Sequence, residues 1–184
     1  MMTQPPQRSQ RGMKLVIGLI VSFAVMLILM SCAGVGFALS IRSYRVTGVS
    51  MEPGFHSGQV VYVSSLSYML SSPSRGDLMI FHQPVSPGNT CQLLSSPGAL
   101  LLKRISGIPG DTVSVTSTAV LLNGSRVNEP YLAPASSGTS TNGMTTPSMT
   151  LGPGQYFLLG DNRPYSADSR CYGPVPLQDF SGFQ

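Results

Sequence analysis

Charge is scarce in this sequence. Only 10% of its 184 residues are Asp, Glu, Lys or Arg, and lysine occurs just twice, as Lys14 and Lys103. The arginines are scattered and form no basic stripe of the kind that tracks a phosphate backbone. Despite a pI near 9.2, nucleic acid is therefore not expected as a partner. Cysteine is as sparse: Cys32, Cys91 and Cys171 form no CxxC pair and lack metal-ligand spacing with His56 or His82, which argues against zinc. Low charge together with 42% hydrophobic residues argues against a disordered, solvating chain. The length is too short for a two-domain dehydrogenase or a complete eight-stranded α/β barrel. One domain with a short appendage is expected.

A local absence of charge organises the chain. From Leu15 to Ile41 no residue is charged (LVIGLIVSFAVMLILMSCAGVGFALSI). These twenty-seven residues exceed the roughly 20 that a helix needs to cross a hydrocarbon core about 30 Å thick. Arg8, Arg11 and Lys14 precede the run and Arg42 and Arg45 follow it, a small asymmetry that favours a short tail inside and the bulk of the chain outside. Two other readings compete. A cleaved signal peptide has an apolar run of about 7–15 residues, shorter than this one. Leu29-Met30-Ser31-Cys32 resembles a lipoprotein cleavage site, with Met30 a poor fit. A retained anchor is the preferred reading: tail 1–14, transmembrane helix 15–41, external domain 42–184. Residues 1–45 carry five positive charges and no acid, whereas the rest carries six positive and seven negative. The basic pI thus belongs to the flanks of the apolar run and says nothing about a substrate.

Beyond Arg45 the pattern is that of short strands. Val60–Val63, Leu78–Phe81, Thr112–Val115 and Gln155–Leu159 are β-branched or aromatic runs bounded by Gly, Pro, Asn or Asp. Val120–Leu122 followed by Asn123-Gly124 is a hairpin signal, because both residues tolerate the positive φ of a type I′ turn. The turn also accounts for Asn123-Gly124-Ser125 without invoking its reading as a glycosylation sequon. The fold class expected is mainly β and antiparallel, behind one N-terminal helix. Residues 133–150 are almost wholly small and polar and are expected to form a mobile loop. No internal repeat stands out.

Three islands differ from their surroundings. Gly48-Val49-Ser50-Met51-Glu52-Pro53-Gly54 reads, by itself, as a turn containing a serine. Leu102-Lys103-Arg104-Ile105-Ser106-Gly107-Ile108-Pro109-Gly110-Asp111 sets a lysine within an apolar run, where its stem could simply lead the amine to water. Gly160 to Arg170 (GDNRPYSADSR) reads as a salt-bridged turn. Together and in this order they resemble the boxes of type I signal peptidases, membrane-anchored Ser/Lys proteases that remove signal peptides. The serine box is Ser50-Met51-Glu52-Pro53, an Arg-Gly-Asp box is Arg75-Gly76-Asp77, and the lysine box runs from Lys103 to Asp111. The last box runs from Gly160 to Arg170, with Gly173-Pro174-Val175-Pro176 after it. Asn123-Gly124 and Glu129-Pro130-Tyr131 also fall where such sequences place them.

The resemblance implies a signal-peptidase-type catalytic β-domain with Ser50 as nucleophile and Lys103 as general base. A free lysine has a pKa near 10.4 and is protonated at neutral pH, so such a base requires burial, which can lower the value by about 3–5 units. The apolar residues around Lys103 are consistent with a dry pocket, and no other lysine follows the apolar run. By the same resemblance, the Ser166 hydroxyl holds the lysine amine. Asp161, Arg163, Asp168 and Arg170 match charged residues of the last box. Asp168 and Arg170 are expected to brace the loop carrying Ser166, with Arg104 as a partner. The Ser50 amide is the expected first oxyanion donor. Some family members have a serine two residues before the nucleophile. This chain has Gly48, and a backbone amide near it is the expected second donor. Met51 and strand residues near Val60 and Phe81 are expected to line shallow pockets for small residues. No metal or organic cofactor is implied. The implied partners are signal-peptide-bearing preproteins and the lipid bilayer, at the cell membrane, with a single pass and the catalytic domain on the extracytoplasmic side. Ser50 follows Ile41 by nine residues, which reach at most about 30 Å, so the nucleophile is expected near the bilayer surface.

Rival readings are few. A His-dependent hydrolase would use His56 or His82 with Asp77 or Asp111 as orienter, but it leaves the lysine box unexplained. A dedicated Ser/Lys processing peptidase of the conjugation-pilus type is the nearest alternative. The complete Gly-Asp-Asn-Arg box leans toward the general enzyme. Repressor autoproteases share the dyad but lack the anchor. A tethered, non-enzymatic β-domain is the remaining class, although this chain keeps both the serine and the lysine. Cys91 and Cys171 both lie outside, where a disulfide is permitted. Closing about 80 residues would stabilise by roughly 4–5 kcal/mol in the chain-entropy model. A disulfide and two free thiols stay open as readings, while Cys32 reads as an ordinary apolar residue of the anchor.

Overall fold

The computed structural model describes residues 7–39, 41–64, 71–84, 98–132 and 145–181. The chain divides into two compact units, Met1–Ile41 and Arg42–Gln184. The first is dominated by helix α1 (Gln7–Leu39), whose Gly12–Gly36 stretch is long and apolar enough to cross a membrane. A helix is suited to that role because it satisfies its own backbone groups where no water can. It starts earlier than the uncharged run, since the Gln, Arg and Lys residues before Leu15 are themselves good helix formers. It stops at Leu39, and Ile41 opens the first strand.

The second unit is mainly β and antiparallel. Strand β1 (Ile41–Arg45) pairs with β2 (Val60–Ser64) in a small ribbon. One four-stranded sheet runs β10 (Val175–Pro176), β9 (Gln155–Leu159), β4 (Leu100–Gly107), β3 (Leu78–His82). The other runs β7 (Ser125–Arg126), β6 (Val120–Leu122), β5 (Thr112–Val115), β8 (Thr146–Thr150). A helical turn, α2 (Ser169–Tyr172), follows β9.

Strand β9 sits between the two hydrophobic clusters and explains its own sequence. Tyr156 and Leu158 join Met79, Phe81 and Ile105 in one cluster, while Phe157 and Leu159 join Val113, Val115 and Leu151 in the other. Successive side chains of a strand point to opposite faces. A run without polar alternation is therefore what a strand buried on both faces requires. The second cluster packs closely on Gly107, where the β4–β9 register shifts. A Cβ there would lie 2.6 Å from Val113 Cγ2 and 3.3 Å from Phe157 Cβ.

One expectation is corrected and one open reading is decided. Residues 146–150, expected in a mobile loop, form β8 and pair with β5 through Thr112↔Thr150, Val113↔Met149 and Val115↔Thr146. Small polar side chains suffice because β8 is an edge strand: its backbone bonds hold it, Met149 packs on the second cluster, and Pro147 is tolerated at an edge. The rest of that expected loop, 133–144, lies outside the described residues. Of the two readings left open for Cys171, the structure has the disulfide. Cys32 is a free thiol, and Cys91, the expected partner, lies outside the described residues.

The β6–β7 turn has Asn123 at φ 52° and Gly124 at φ 81°, the positive angles of a type I′ turn. Asn123 also ties the turn to the lysine box: Nδ2 donates to Asp111 Oδ1 at 3.0 Å, and Oδ1 accepts the Thr112 N–H at 2.8 Å. Asp111 accepts in addition from Arg75 Nε at 2.8 Å and from the Ile108 N–H at 2.9 Å.

Two outcomes follow from this packing. Gly107→Ala is expected to destabilise by about 1–3 kcal/mol through overpacking, read as a lower urea midpoint; an unchanged midpoint would contradict the close approach. The Arg75 hydrogen bond, with those from Ile108 and Asn123, lowers the Asp111 pKa to about 2, against about 3.9 in an unfolded chain. The resulting stabilisation is present above about pH 4 and lost as pH falls through 2. The stability difference between wild type and Asp111→Asn is accordingly expected to shrink on acidification across that window. A difference that is constant from pH 6 to pH 2 would refute the assignment.

Candidate active site

Between β1 and β2 the chain leaves the ribbon and returns. The Val46 N–H donates to Gln59 O and the Gly58 N–H to Val46 O, both at 2.8 Å, which closes the base of the excursion. Within it, the Glu52 N–H bonds Val49 O at 3.2 Å and the Phe55 N–H bonds Met51 O at 3.0 Å, making a tight turn with Ser50 at its bend. Gly48 enters the turn at φ 84°, a left-handed angle that glycine adopts without a Cβ penalty.

Lys103 comes from the middle of β4, opposite Met79 of β3. Only 3% of it is exposed, and its Nζ donates to Ser50 Oγ at 2.6 Å. Burial lowers its pKa to about 8; Asp168 and Asp161 pull it back up, and Arg170 pushes it further down. An amine that is mostly ammonium in water is thereby brought within reach of neutrality.

The loop after β9 closes the other side. The Gly160 N–H donates to Asp168 Oδ2 at 3.0 Å, and Arg170 Nε donates to Asp168 Oδ1 at 2.7 Å. Arg170 Nη2 also reaches Arg163 O at 3.2 Å. Burial alone would raise the Asp168 pKa, but the Arg170 charge and these hydrogen bonds hold it below its ordinary value. Arg104 is not the partner of Asp168 or Arg170 that the sequence suggests. Asp168 is already occupied by Arg170 and Gly160, and Arg104 grips Asp161 with Nε at 2.9 Å and Nη2 at 2.7 Å. Ser166 is buried, and its Oγ has no hydrogen-bond partner among the described residues. It packs so tightly on Gly160 that a Cβ on that glycine would collide with it and lie 2.7 Å from Ser50 O.

Gly48, Ser50 and Lys103 line a cleft of about 450 Å³, whose apolar wall includes Met51, Val61 and Ile80. Of the strand residues near Val60 and Phe81, Val61 and Ile80 are the ones that line it. Alternation along a strand puts neighbours on opposite sides, and Phe81 packs instead against Tyr172 and Phe180. Neither histidine joins the pair. His56 is exposed beside Glu52 at 3.6 Å, and His82 Nδ1 lies 3.1 Å from Gly98 O. Their supposed orienters are engaged elsewhere, Asp77 on the Ser74 N–H and Asp111 on Arg75. Among the described residues no group of three His, Cys, Asp or Glu side chains is placed to hold a metal.

The sequence reading gave no role to Asn162 or Glu129. The Asn162 N–H donates to Ser50 O and its Nδ2 to Val49 O, each at 3.0 Å. Glu129 receives the guanidinium of Arg163, a side chain with no exposed surface. An amide between two charged residues and an acid before Pro-Tyr were the available signals. Neither reveals a partner more than thirty residues away.

A serine hydroxyl bonded by a buried amine that has no carboxylate at ion-pair distance among the described residues is an arrangement suited to a hydrolase. The family model for signal peptidase, peptidase S26, matches residues 16–183. The chain belongs to that family and is a serine peptidase. It is similar to signal peptidase I V of Bacillus subtilis, 31% identical over 147 residues that cover 76% of this chain and 80% of that protein. It is likewise similar to signal peptidase I of Bacillus caldolyticus, 33% identical over 148 residues, 76% of this chain and 75% of that one. A solved signal peptidase I from Enterococcus faecalis matches 61% of this chain and 96% of its own at 34% identity, with a TM-score of 0.47.

Gly160→Ala is expected to lower cleavage at least about 100-fold, because a Cβ must displace either the Ser166 side chain or the Ser50 main chain, and small misplacements at a reacting centre are that costly. Full activity in a folded Gly160→Ala protein would show that the loop can yield.

Proposed function

We propose that this protein is a membrane-anchored endopeptidase that removes N-terminal signal peptides from exported preproteins, with Ser50 as nucleophile and Lys103 as general base. The observation that carries this reading is the 2.6 Å bond from the buried Lys103 Nζ to Ser50 Oγ in a chain of the signal peptidase family. Once neutral, the amine presents its lone pair to the Ser50 proton. It takes that proton as Oγ attacks the scissile carbonyl, then returns it to the leaving amine. The acyl-enzyme is hydrolysed by a water that the same amine activates. Ser166, buried and with its hydroxyl unengaged, holds the amine when Ser50 is acylated. The Ser50 N–H and a main-chain N–H near Gly48 serve the oxyanion, and the left-handed turn at Gly48 supports that placement.

The apolar wall of Met51, Val61 and Ile80 suits small uncharged residues ahead of the cut. Helix α1 is the anchor in this reading, and the small charge bias of its flanks favours residues 42–184 on the extracytoplasmic side. With Ser50 nine positions after Ile41, cleavage takes place near the level at which a bound preprotein leaves the bilayer.

Ser50→Ala and Lys103→Ala are each expected to abolish preprotein cleavage in detergent while the domain remains folded. A His56/His82 double substitution is expected to keep it. Near-normal activity of Lys103→Ala would sink the dyad. The base works deprotonated and its pKa is lowered to about 8. The kcat/KM should therefore rise about tenfold per pH unit below that value and level off above it. A profile that is flat from pH 6 to pH 9 would show that some other group accepts the proton.

A further inference from the structure

Asn162 bonds two consecutive carbonyls of the nucleophile turn, and its neighbours on either side are anchored to one short segment. On one side, Arg163 Nε donates to Gly160 O at 2.8 Å, and its Nη1 and Nη2 both meet the Glu129 carboxylate, Nη1 to Oε2 at 3.3 Å. On the other, Asp161 is gripped by Arg104, whose guanidinium lies over the Tyr131 ring at 4.2 Å from its centroid. The circuit closes where Tyr131 OH donates to Glu129 Oε1 at 3.0 Å. Burial, and after it the Glu129 charge, push the Tyr131 pKa far up, so the phenol stays a donor at any working pH. The network, buried at Asp161, Asn162 and Arg163 and half-buried at Glu129, Tyr131 and Arg104, therefore runs from Glu129 and Tyr131 through Arg163, Arg104 and Asp161 to Asn162, and from there to Val49 and Ser50.

We propose that Glu129 and Tyr131 are positioning residues for the peptidase reaction. By holding both flanks of Asn162, they set where the Ser50 main chain sits relative to the Lys103 amine. The proposal rests on the Ser50/Lys103 reading. Two anchors on either side of one residue restrict rotation as well as translation of the peptide that bonds Ser50. Neither Glu129 nor Tyr131 lines the substrate cleft, so loss of either anchor acts through the placement of Ser50 against the amine, and the effect falls on the chemical step more than on substrate binding. Glu129 acts also by charge: without it the Arg163 guanidinium stays buried with no counter-ion, a costly state that the loop relieves by moving.

The test uses the full-length protein in detergent with a preprotein substrate, kcat and KM resolved separately, and thermal unfolding measured on the same samples. Glu129→Gln is expected to lower kcat about 10- to 100-fold with KM within about twofold. Tyr131→Phe keeps the ring over Arg104 and loses only the bond to Glu129. It is expected to lower kcat about three- to tenfold with KM similarly unmoved. Val113→Ala, a cavity variant in the core of the second sheet, is the reference for stability loss alone and is expected to keep its kcat. If either network variant retains the kcat of Val113→Ala, or if the loss lies in KM, the positioning role is overturned. Should Glu129→Gln not fold, Tyr131→Phe decides. Ser50→Ala and Lys103→Ala run in the same assay. If they are inactive and Tyr131→Phe has full kcat, only the positioning proposal fails. If they retain cleavage, the dyad reading fails and this proposal with it.

Discussion

The constraint on which the rest of this structure depends is the exclusion of water from one amine. Lys103 is buried, and among the described residues it is the buried cation that has no carboxylate within ion-pair distance. Desolvation alone would make such a group unfavourable; here it lowers the amine pKa to about 8 and puts it on a serine hydroxyl. Everything around the pair keeps that state from being undone. A nearby carboxylate free to swing toward Nζ would restore the ammonium, and the two described carboxylates that act on it are both held. Asp161 is held by Arg104 and Asp168 by Arg170, and each pair also fixes a piece of the loop that packs on the nucleophile turn.

The scarcity of charge in the sequence takes on meaning here. Beyond Arg45 there are thirteen charged side chains, and eight of them form the four pairs Arg75–Asp111, Arg104–Asp161, Arg163–Glu129 and Arg170–Asp168. Three of these pairs hold the 160–170 loop or its contacts, and the fourth ties the lysine box to the Arg75-Gly76-Asp77 turn before β3. Buried ion pairs seldom add much net stability, because desolvation offsets their attraction. What they add is geometry: bidentate forks accept few alternative arrangements. A domain whose stability comes from two apolar clusters uses six of its thirteen charges to place one loop.

Much of this was legible in the sequence, for identifiable reasons. The helix follows from an uncharged run, and strands β2, β3, β5 and β9 follow from β-branched and aromatic runs bounded by turn residues. The β6–β7 turn follows from Asn-Gly. All of these are local signals. Strand β8 was not legible, because an edge strand held by backbone bonds needs no apolar run. On β2 and β3 the sequence located the cleft only to the neighbourhood of Val60 and Phe81, and the structure selects Val61 and Ile80. Composition identifies a strand but its phase is set by what packs against it. At the site, the ordered boxes single out Ser50, Lys103 and Ser166 by resemblance, whereas the partner of Arg104 and the roles of Asn162 and Glu129 depend on which chain segments meet.

By itself the sequence determined that the chain has one membrane-length helix, a β-rich remainder and a single lysine beyond the helix. Each of these depends only on residues close together along the chain. Tertiary structure alone decided that residues 53 positions apart meet at 2.6 Å and which acid each arginine takes. It decided also that an asparagine reaches the serine turn across more than a hundred residues. A pKa has the same origin: lysine is a strong base in any sequence, and only the packing of strands and loops around it removes the water that keeps it charged.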